Sequence, residues 1–352
     1  MTDQEKKHRT GFEISREFEA ERKTIGERMK IDKSEIKAIV YSLIPMLAVF
    51  FIGCWLAGNP FADTVRVADS PYNQAHGLVG TNQWHIIPFV VLVGLFFEFM
   101  DASAGMGFGT ALSPLLMVAG FTPIQVVPPI MIEQATCGLI GTFLHKEFKN
   151  VEWRLNPMSE TIKLWLLIAG LGCAAVLISI TAIYSIFAVH KVWIKLYVLL
   201  LLLAMGVIAI WQGMSRKERR YRPRLMTLFG FLAGFNKGIG GGGYGPVVTV
   251  GGVLSGVPVK SQLAVTAISE GTVSTFAVIV WFANLGGGKQ LDFILLPSMM
   301  IAAIGSGILA PFAVPLTSSA CKRISAVRRY LAGVASPMMS TGLLLLQYSG
   351  KT

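Results

Sequence analysis

Gly241-Gly242-Gly243-Tyr244-Gly245 decides how this sequence is read, because the chain writes it twice. It follows Phe235-Asn236-Lys237-Gly238 and runs into Pro246. The earlier copy, Gly105-Met106-Gly107-Phe108-Gly109, follows Met100-Asp101 and lies 136 residues upstream. At that one offset Phe108 meets Tyr244, Gly120 meets Gly256, Ile168 meets Ile304, and Gln134-Ala135-Thr136 meets Glu270-Gly271-Thr272. Self-similarity at a fixed spacing is the sequence mark of an internally repeated architecture. The chain reads as two related halves, each centred on a glycine-rich break in an apolar helix.

Composition sets the solvent. Of 352 residues, 53% are hydrophobic and only 14% charged, against about 25% charged in soluble domains. The mean hydropathy is +0.58, which fits one polytopic membrane body. A net charge of +11 does not point to nucleic acid, because the basic residues fall in short loops between apolar runs. Cys54, Cys137, Cys173 and Cys321 show no metal spacing and read as small helix residues. Nothing in the sequence calls for a cofactor or a metal.

Residues 1–37 form a charged leader in which Ile14, Phe18, Ile25, Met29 and Ile36 share roughly one helical face. It is either a helix lying on the membrane or a partner, or a solvated tail. Residues 38–58 make an extra transmembrane helix that precedes the repeats, since about 20 apolar residues cross a bilayer. Residues 59–85 are a loop poor in Lys and Arg, expected outside. The first membrane repeat is 86–213, with two short runs (86–100 and 110–120) and three long ones (124–145, 162–188 and 192–213). A basic linker, 214–224, follows. The second repeat is 225–352, with short runs at 225–235 and 247–256 and long ones at 258–284, 293–316 and 327–348.

Five apolar segments per repeat is an odd number, so the second half enters from the opposite side. The loops agree. Lys146, Lys149 and Arg154 follow the third segment of the first half, whereas its counterpart, 285–292, holds only Lys289. The sequence therefore predicts an all-α polytopic protein of two inverted repeats. Each repeat carries a short re-entrant or broken helix pair, and the N-terminus is cytoplasmic and the C-terminus periplasmic.

A helix that begins inside the membrane presents unpaired N–H groups and the positive end of its dipole, which suit an anion. Glycine lets a ligand reach that backbone; the competing reading is close helix packing. The candidate anion-binding residues are Gly105, Gly107, Gly109, Thr110, Asn236, Lys237, Gly241, Gly243, Tyr244 and Gly245. Asp101 and Lys237 stand at matching positions, so they could pair with each other, or Lys237 could meet the anion directly. Coupling or gating falls to Asp101, Glu133, Gln134, Thr136, Glu270 and Thr272. Glu133 and Glu270 lie mid-helix, where a carboxyl either carries protons or stays neutral and hydrogen-bonded between helices. Glu98 is a weaker candidate. Cys137, one turn from Glu133, either packs or touches substrate. No hydrolase, zincin or Walker pattern is present, so the sequence gives no enzyme.

At these residues the chain resembles the TauE/SafE family of membrane transporters, the sulfite exporters. The likeness rests on Gly240 to Pro246, on the echo Gly105 to Gly109 with Ser113-Pro114, and on Glu133 to Gly141 and Glu270 to Ser274. It covers residues 86–348. The resemblance implies carriage of a sulfur-containing anion such as sulfite or sulfoacetate, expected outward, across the bacterial inner membrane. The first glycine cluster is interrupted by Met106 and Phe108, which points to the second half as the main seat. Import of another organic anion, an anion channel and a membrane sensor are the alternatives. The expected partners are the anion, the lipid bilayer and protons as coupling ion; the sequence leaves room for an oligomer.

Overall fold

A computed structural model describes residues 33–58, 66–105, 108–147, 151, 153–186, 207, 222–284 and 291–319. The region before residue 33, Gly107, most of the basic linker and the fifth segments (192–213 apart from residue 207, and 327–348) lie outside the described residues, as does the C-terminal end. Within them the regular elements are all helical: α1 Lys33–Gly58, α2 Pro71–Ala75, α3 Pro88–Ala104, α4 Phe108–Val118, α5 Pro123–Glu147, α6 Glu160–Ile186, α7 Pro223–Gly240, α8 Tyr244–Leu254, α9 Val259–Asn284 and α10 Leu296–Ser319. Four stretches are long and apolar enough to cross a membrane: Ile36–Gly58, Pro123–Lys146, Glu160–Ala182 and Ser261–Ala283. At about 1.5 Å per residue, the 11-residue helices α4 and α8 reach only about 16 Å, half of a hydrocarbon core of about 30 Å.

Local chemistry recurs between the halves. Helix α3 ends at Gly105 (φ 65°), whose N–H donates to the Asp101 carbonyl, and α7 ends at Gly241 (φ 74°), whose N–H donates to the Lys237 carbonyl. Each is a left-handed cap, a conformation that glycine takes without the Cβ penalty. The ends of α4 and α8 match too: Gly120 donates to Met117 and Phe121 to Leu116, as Gly256 does to Val253 and Val257 to Gly252.

Packing repeats in the same way. Helix α3 packs on α10 as α7 does on α6, α5 on α10 as α9 does on α6, and α4 on α5 as α8 does on α9. The two self-related contacts are α5 with α9 and α4 with α8. Each half thus leans the first helix of its short pair on the other half. The α5–α9 crossing is close because Gly138 lies against Gly271, the small-residue contact by which membrane helices gain dispersion energy. Helix α1 stands outside this scheme, on α10 and α5.

Several boundaries differ from the sequence expectation: α3 runs on to Ala104 instead of ending at Met100, and α8 begins at Tyr244 instead of Val247. The apolar run 225–235 predicts a helix ending at Phe235, whereas α7 continues to Gly240. Asn236 and Lys237 are therefore held on the last turn of a helix instead of in the break itself. Residues 33–37 of the charged leader likewise continue α1 without interruption.

At one end of the bundle, the segment 66–87 folds over the helices. Arg66 and Asp292 are both 1% exposed and 2.7 Å apart. Burial lowers the Arg66 pKa from its ordinary value, and the Asp292 carboxylate works against that shift.

Candidate functional site

The two glycine-rich breaks touch. A methyl group placed on Gly109 would stand 2.9 Å from the Gly242 Cα and 3.1 Å from the Gly241 carbonyl oxygen, and one on Gly242 would collide with the Gly109 carbonyl. Two side-chain hydrogen bonds stitch the breaks reciprocally. The Ser113 hydroxyl donates to the Gly240 carbonyl at 3.0 Å, and the Thr249 hydroxyl to the Gly105 carbonyl at 2.9 Å. Ser113 and Thr249 are mates under the 136-residue offset.

Beside this contact lies the charge. Lys237, fully buried, donates to Glu270 Oε1 at 3.0 Å and to Gln134 Oε1 at 2.6 Å. The pairing of Lys237 with Asp101, one of the two sequence readings, is not what the structure adopts; Glu270 takes that place. The Asp101 carboxylate instead accepts from the Phe108 backbone N–H, capping the start of α4 across the break. A buried ammonium needs a counter-charge, and α9 brings Glu270 to it because the third segments of both halves cross beside the breaks.

Glu270 Oε2 lies next to Gly245, 3.4 Å from where its Cβ would be. The resident carboxylate thus sits between Lys237 and the first turn of α8. In the first half the mates are Gln134 and Gly109, and the Gln134 Nε2 stands 2.7 Å from where the Gly109 Cβ would be. Thr110 is buried at the same contact, its backbone N close to Gly242. Asn236 holds the second break by donating from Nδ2 to the Gly242 carbonyl at 3.0 Å, and its Oδ1 is buried without a hydrogen-bond partner. Gly243, at φ 82°, is the N-cap of α8.

Three expected roles change. Tyr244 is not turned to donate to an anion beside Lys237: its ring lies under the ammonium, 5.4 Å from centroid to Nζ, and its hydroxyl lies against Gly172. That is a cation–π contact with a desolvated lysine. Thr136 and Thr272 are not in the site. Each hydroxyl donates back to its own helix, to Ile132 and Ile268; Thr136 faces a groove beside Tyr41, and Thr272 accepts from Trp165.

Glu133 stands one layer away. It is fully buried and accepts from the Cys137 thiol at 3.1 Å. One oxygen each of Glu98 and Glu133 and the Cys137 sulfur all lie within 4.8 Å of one another. Glu98, which the sequence ranks low, thus joins Glu133 because α3 and α5 converge; its signal was an acid one turn from Asp101 in an apolar run. A cavity of about 60 Å³ connects the two layers. Glu98, Asp101, Gln134, Cys137 and Glu270 line it at mid-bundle, and Leu144 and His145 line it toward the Lys146 end. Room for one water needs about 10–15 Å³, so the space suits a small, hydrated solute.

Four helices long and apolar enough to span a bilayer, packed around a buried ion pair and a small cavity, fit a polytopic membrane protein. The family model for the sulfite exporter TauE/SafE family matches residues 90–338, and the chain belongs to that family. It is 25% identical over 230 residues to the "Probable membrane transporter protein YtnM" of Bacillus subtilis (strain 168), covering 63% of this chain and 71% of that protein. It is 23% identical over 229 residues to the "Probable membrane transporter protein YjnA" of the same organism, covering 61% and 85%. No solved structure matches this chain.

Proposed function

We propose that this protein is a secondary transporter carrying a small sulfur-containing oxyanion, sulfite or a small sulfonate, outward across the bacterial inner membrane. The observation that carries the reading is Glu270, whose carboxylate occupies the place between Lys237 and the start of α8. A substrate oxyanion has the same charge and the same acceptor oxygens, so it can replace that carboxylate. It would then accept from Lys237 and from the first N–H groups of α8 around Gly243–Val247, with the start of α4 at Phe108–Thr110 across the break.

Displacing Glu270 leaves a buried carboxylate without its ammonium, which costs several kcal/mol unless it takes up a proton. Anion and proton therefore load together. The surroundings favour this, since Glu98, Asp101 and Glu270 line one cavity while Lys237 pairs with Glu270 alone among the described carboxylates. Two carboxyl groups as close as Glu98 and Glu133 cannot both hold a charge away from water, so that pair provides a second proton store beside the cavity.

The alternating access this needs fits two inverted repeats. Support comes from the paired contacts of the halves, from the parallel run of α3 beside α10 (Gly94 on Ala302, Gly305 on Leu95), and from the antiparallel crossing of α5 and α9 (Gly138 on Gly271, Gly141 on Ala267). The Lys146 end then faces the cytoplasm by its basic loops, and the domain limits follow those of the repeats.

Purified protein in liposomes tests the reading. Sulfite flux should rise with an imposed pH gradient, and Lys237→Ala should lower it about a hundredfold or more, as loss of one partner of a buried pair predicts. Flux that is unchanged in Lys237→Ala at low and saturating sulfite removes the lysine from the site. Steady conductance without coupled proton movement would favour the channel.

A further inference from the structure

Among the described residues, the two ends of the bundle are closed unequally. At the end where α5 begins, Arg66 donates from Nη1 to Asp292 Oδ1 at 2.7 Å and from Nη2 to the carbonyls of Ala57, at 2.8 Å, and Gln83. Asp292 Oδ1 also accepts from the Ile294 N–H at 3.1 Å. Its Oδ2 accepts from Val67 N–H (3.2 Å), Asn73 Nδ2 (2.9 Å) and Gln125 Nε2 (2.8 Å). One carboxylate thus joins the segment 66–87, the end of α1, the start of α5 and the entry to α10. The segment is also seated on the α4–α5 junction, where Tyr72 N–H donates to the Gly120 carbonyl at 3.1 Å and the Tyr72 ring stacks on Phe121 at 4.2 Å.

The other end is built differently at the mate positions. The mate of Asp292 is Asn156, uncharged and exposed, and the mate of Gln125 is Ser261, whose buried hydroxyl has no hydrogen-bond partner. The cavity agrees with this, since it runs from Asp101 and Glu270 toward Leu144 and His145, away from Arg66. Arg66 also lies outside the residues that the family model matches, whereas Asp292 lies within them.

We propose that the segment 66–87 is a lid contributed by this chain's N-terminal region, and that the Arg66–Asp292 pair is the lock that holds the transporter shut at that end. The segment bridges the α4–α5 junction and the entry to α10 at the Arg66 end. Passage requires the lid to part from both halves, and hydration of the two charges in the open state supplies what their separation removes. The inference rests on membership of a transporter family and is independent of which anion is carried.

A reversible tether distinguishes a lid from a fixed pin. Tyr72→Cys with Phe121→Cys leaves the ion pair intact, and Arg66→Cys with Asp292→Cys replaces it; each is linked with a short bis-methanethiosulfonate in liposomes, with the single variants treated alike as reference. The lock predicts that linked protein loses sulfite flux at least about tenfold and regains it after dithiothreitol, the size expected when an obligatory opening is blocked. Linked protein that carries sulfite at the reduced rate overturns the lid. Should the wild-type protein move no sulfite, the anion assignment fails separately, and the lid is read by labelling Cys137 with an impermeant methanethiosulfonate applied from the Arg66 end. Asp292→Asn should raise that labelling about fivefold or more by populating the open state; equal labelling in both proteins overturns the proposal.

Discussion

In the first half the helix that restarts after the glycine break is capped by the half's own acid. Asp101 on α3 accepts from the N–H of Phe108, and the neighbouring third-segment residue is the neutral Gln134. In the second half the same two positions hold Lys237 and Glu270. The backbone plan is common: left-handed caps at Gly105 and Gly241, reciprocal bonds from Ser113 and Thr249, and glycines in contact across the break. The charge plan is not. One half caps its helix start with a carboxylate of its own. The other places a cation there and pairs it with a carboxylate from α9. A shared backbone plan thus carries two different charge arrangements at positions matched by the 136-residue offset.

The largest effect that tests this contrast is on transport. Asp101→Asn should slow sulfite flux about tenfold, clearly less than Lys237→Ala, since an amide can still cap the Phe108 N–H and a single charge-assisted bond is worth about 1.5–3 kcal/mol. Equal losses in liposome flux at fixed pH gradient would mean that the halves share the anion evenly.

Stability comes next. Gly242→Ala drives a methyl group into the backbone of Gly109 and should lower stability by about 2–3 kcal/mol or more. Gly240→Ala, at a helical position with nothing within 4 Å of the added group, should gain about 0.5–1 kcal/mol. Thermal unfolding in detergent reads both. A mild Gly242→Ala would show that the breaks can part without cost.

The smallest effect concerns the stitches. Ser113→Ala and Thr249→Ala each remove one neutral hydrogen bond and should cost about 1 kcal/mol, nearly equally, in the same unfolding assay. A much larger cost for Thr249, which also shares a contact with the Thr266 hydroxyl at 3.0 Å, would make the second break the anchor of the pair.

Much of this site was legible before the fold. The 136-residue echo marked both breaks, and the rarity of charge in apolar runs singled out Asp101, Lys237, Glu133 and Glu270. Partnership was not legible. Lys237 and Asp101 occupy matching positions, which suggested a pair, yet Glu270 is the residue that α9 delivers within 3.0 Å. Thr136 and Thr272 matched equally well and point elsewhere, because a threonine in a helix can satisfy its hydroxyl on its own preceding turn. Arg66 was passed over as one basic residue in a loop, and its distant partner Asp292 gave no signal by spacing.

The sequence alone determined the membrane setting, the all-helical class and the positions of the breaks, and it carries the 136-residue echo. These follow from hydropathy, helix length and glycine, which act within a few turns of chain. Only the tertiary structure decided which charges meet, where each hydroxyl finds its partner and which side chains gather around Asp292. Those outcomes depend on where helices cross, and a crossing brings together residues up to 226 positions apart through packing that no local pattern records.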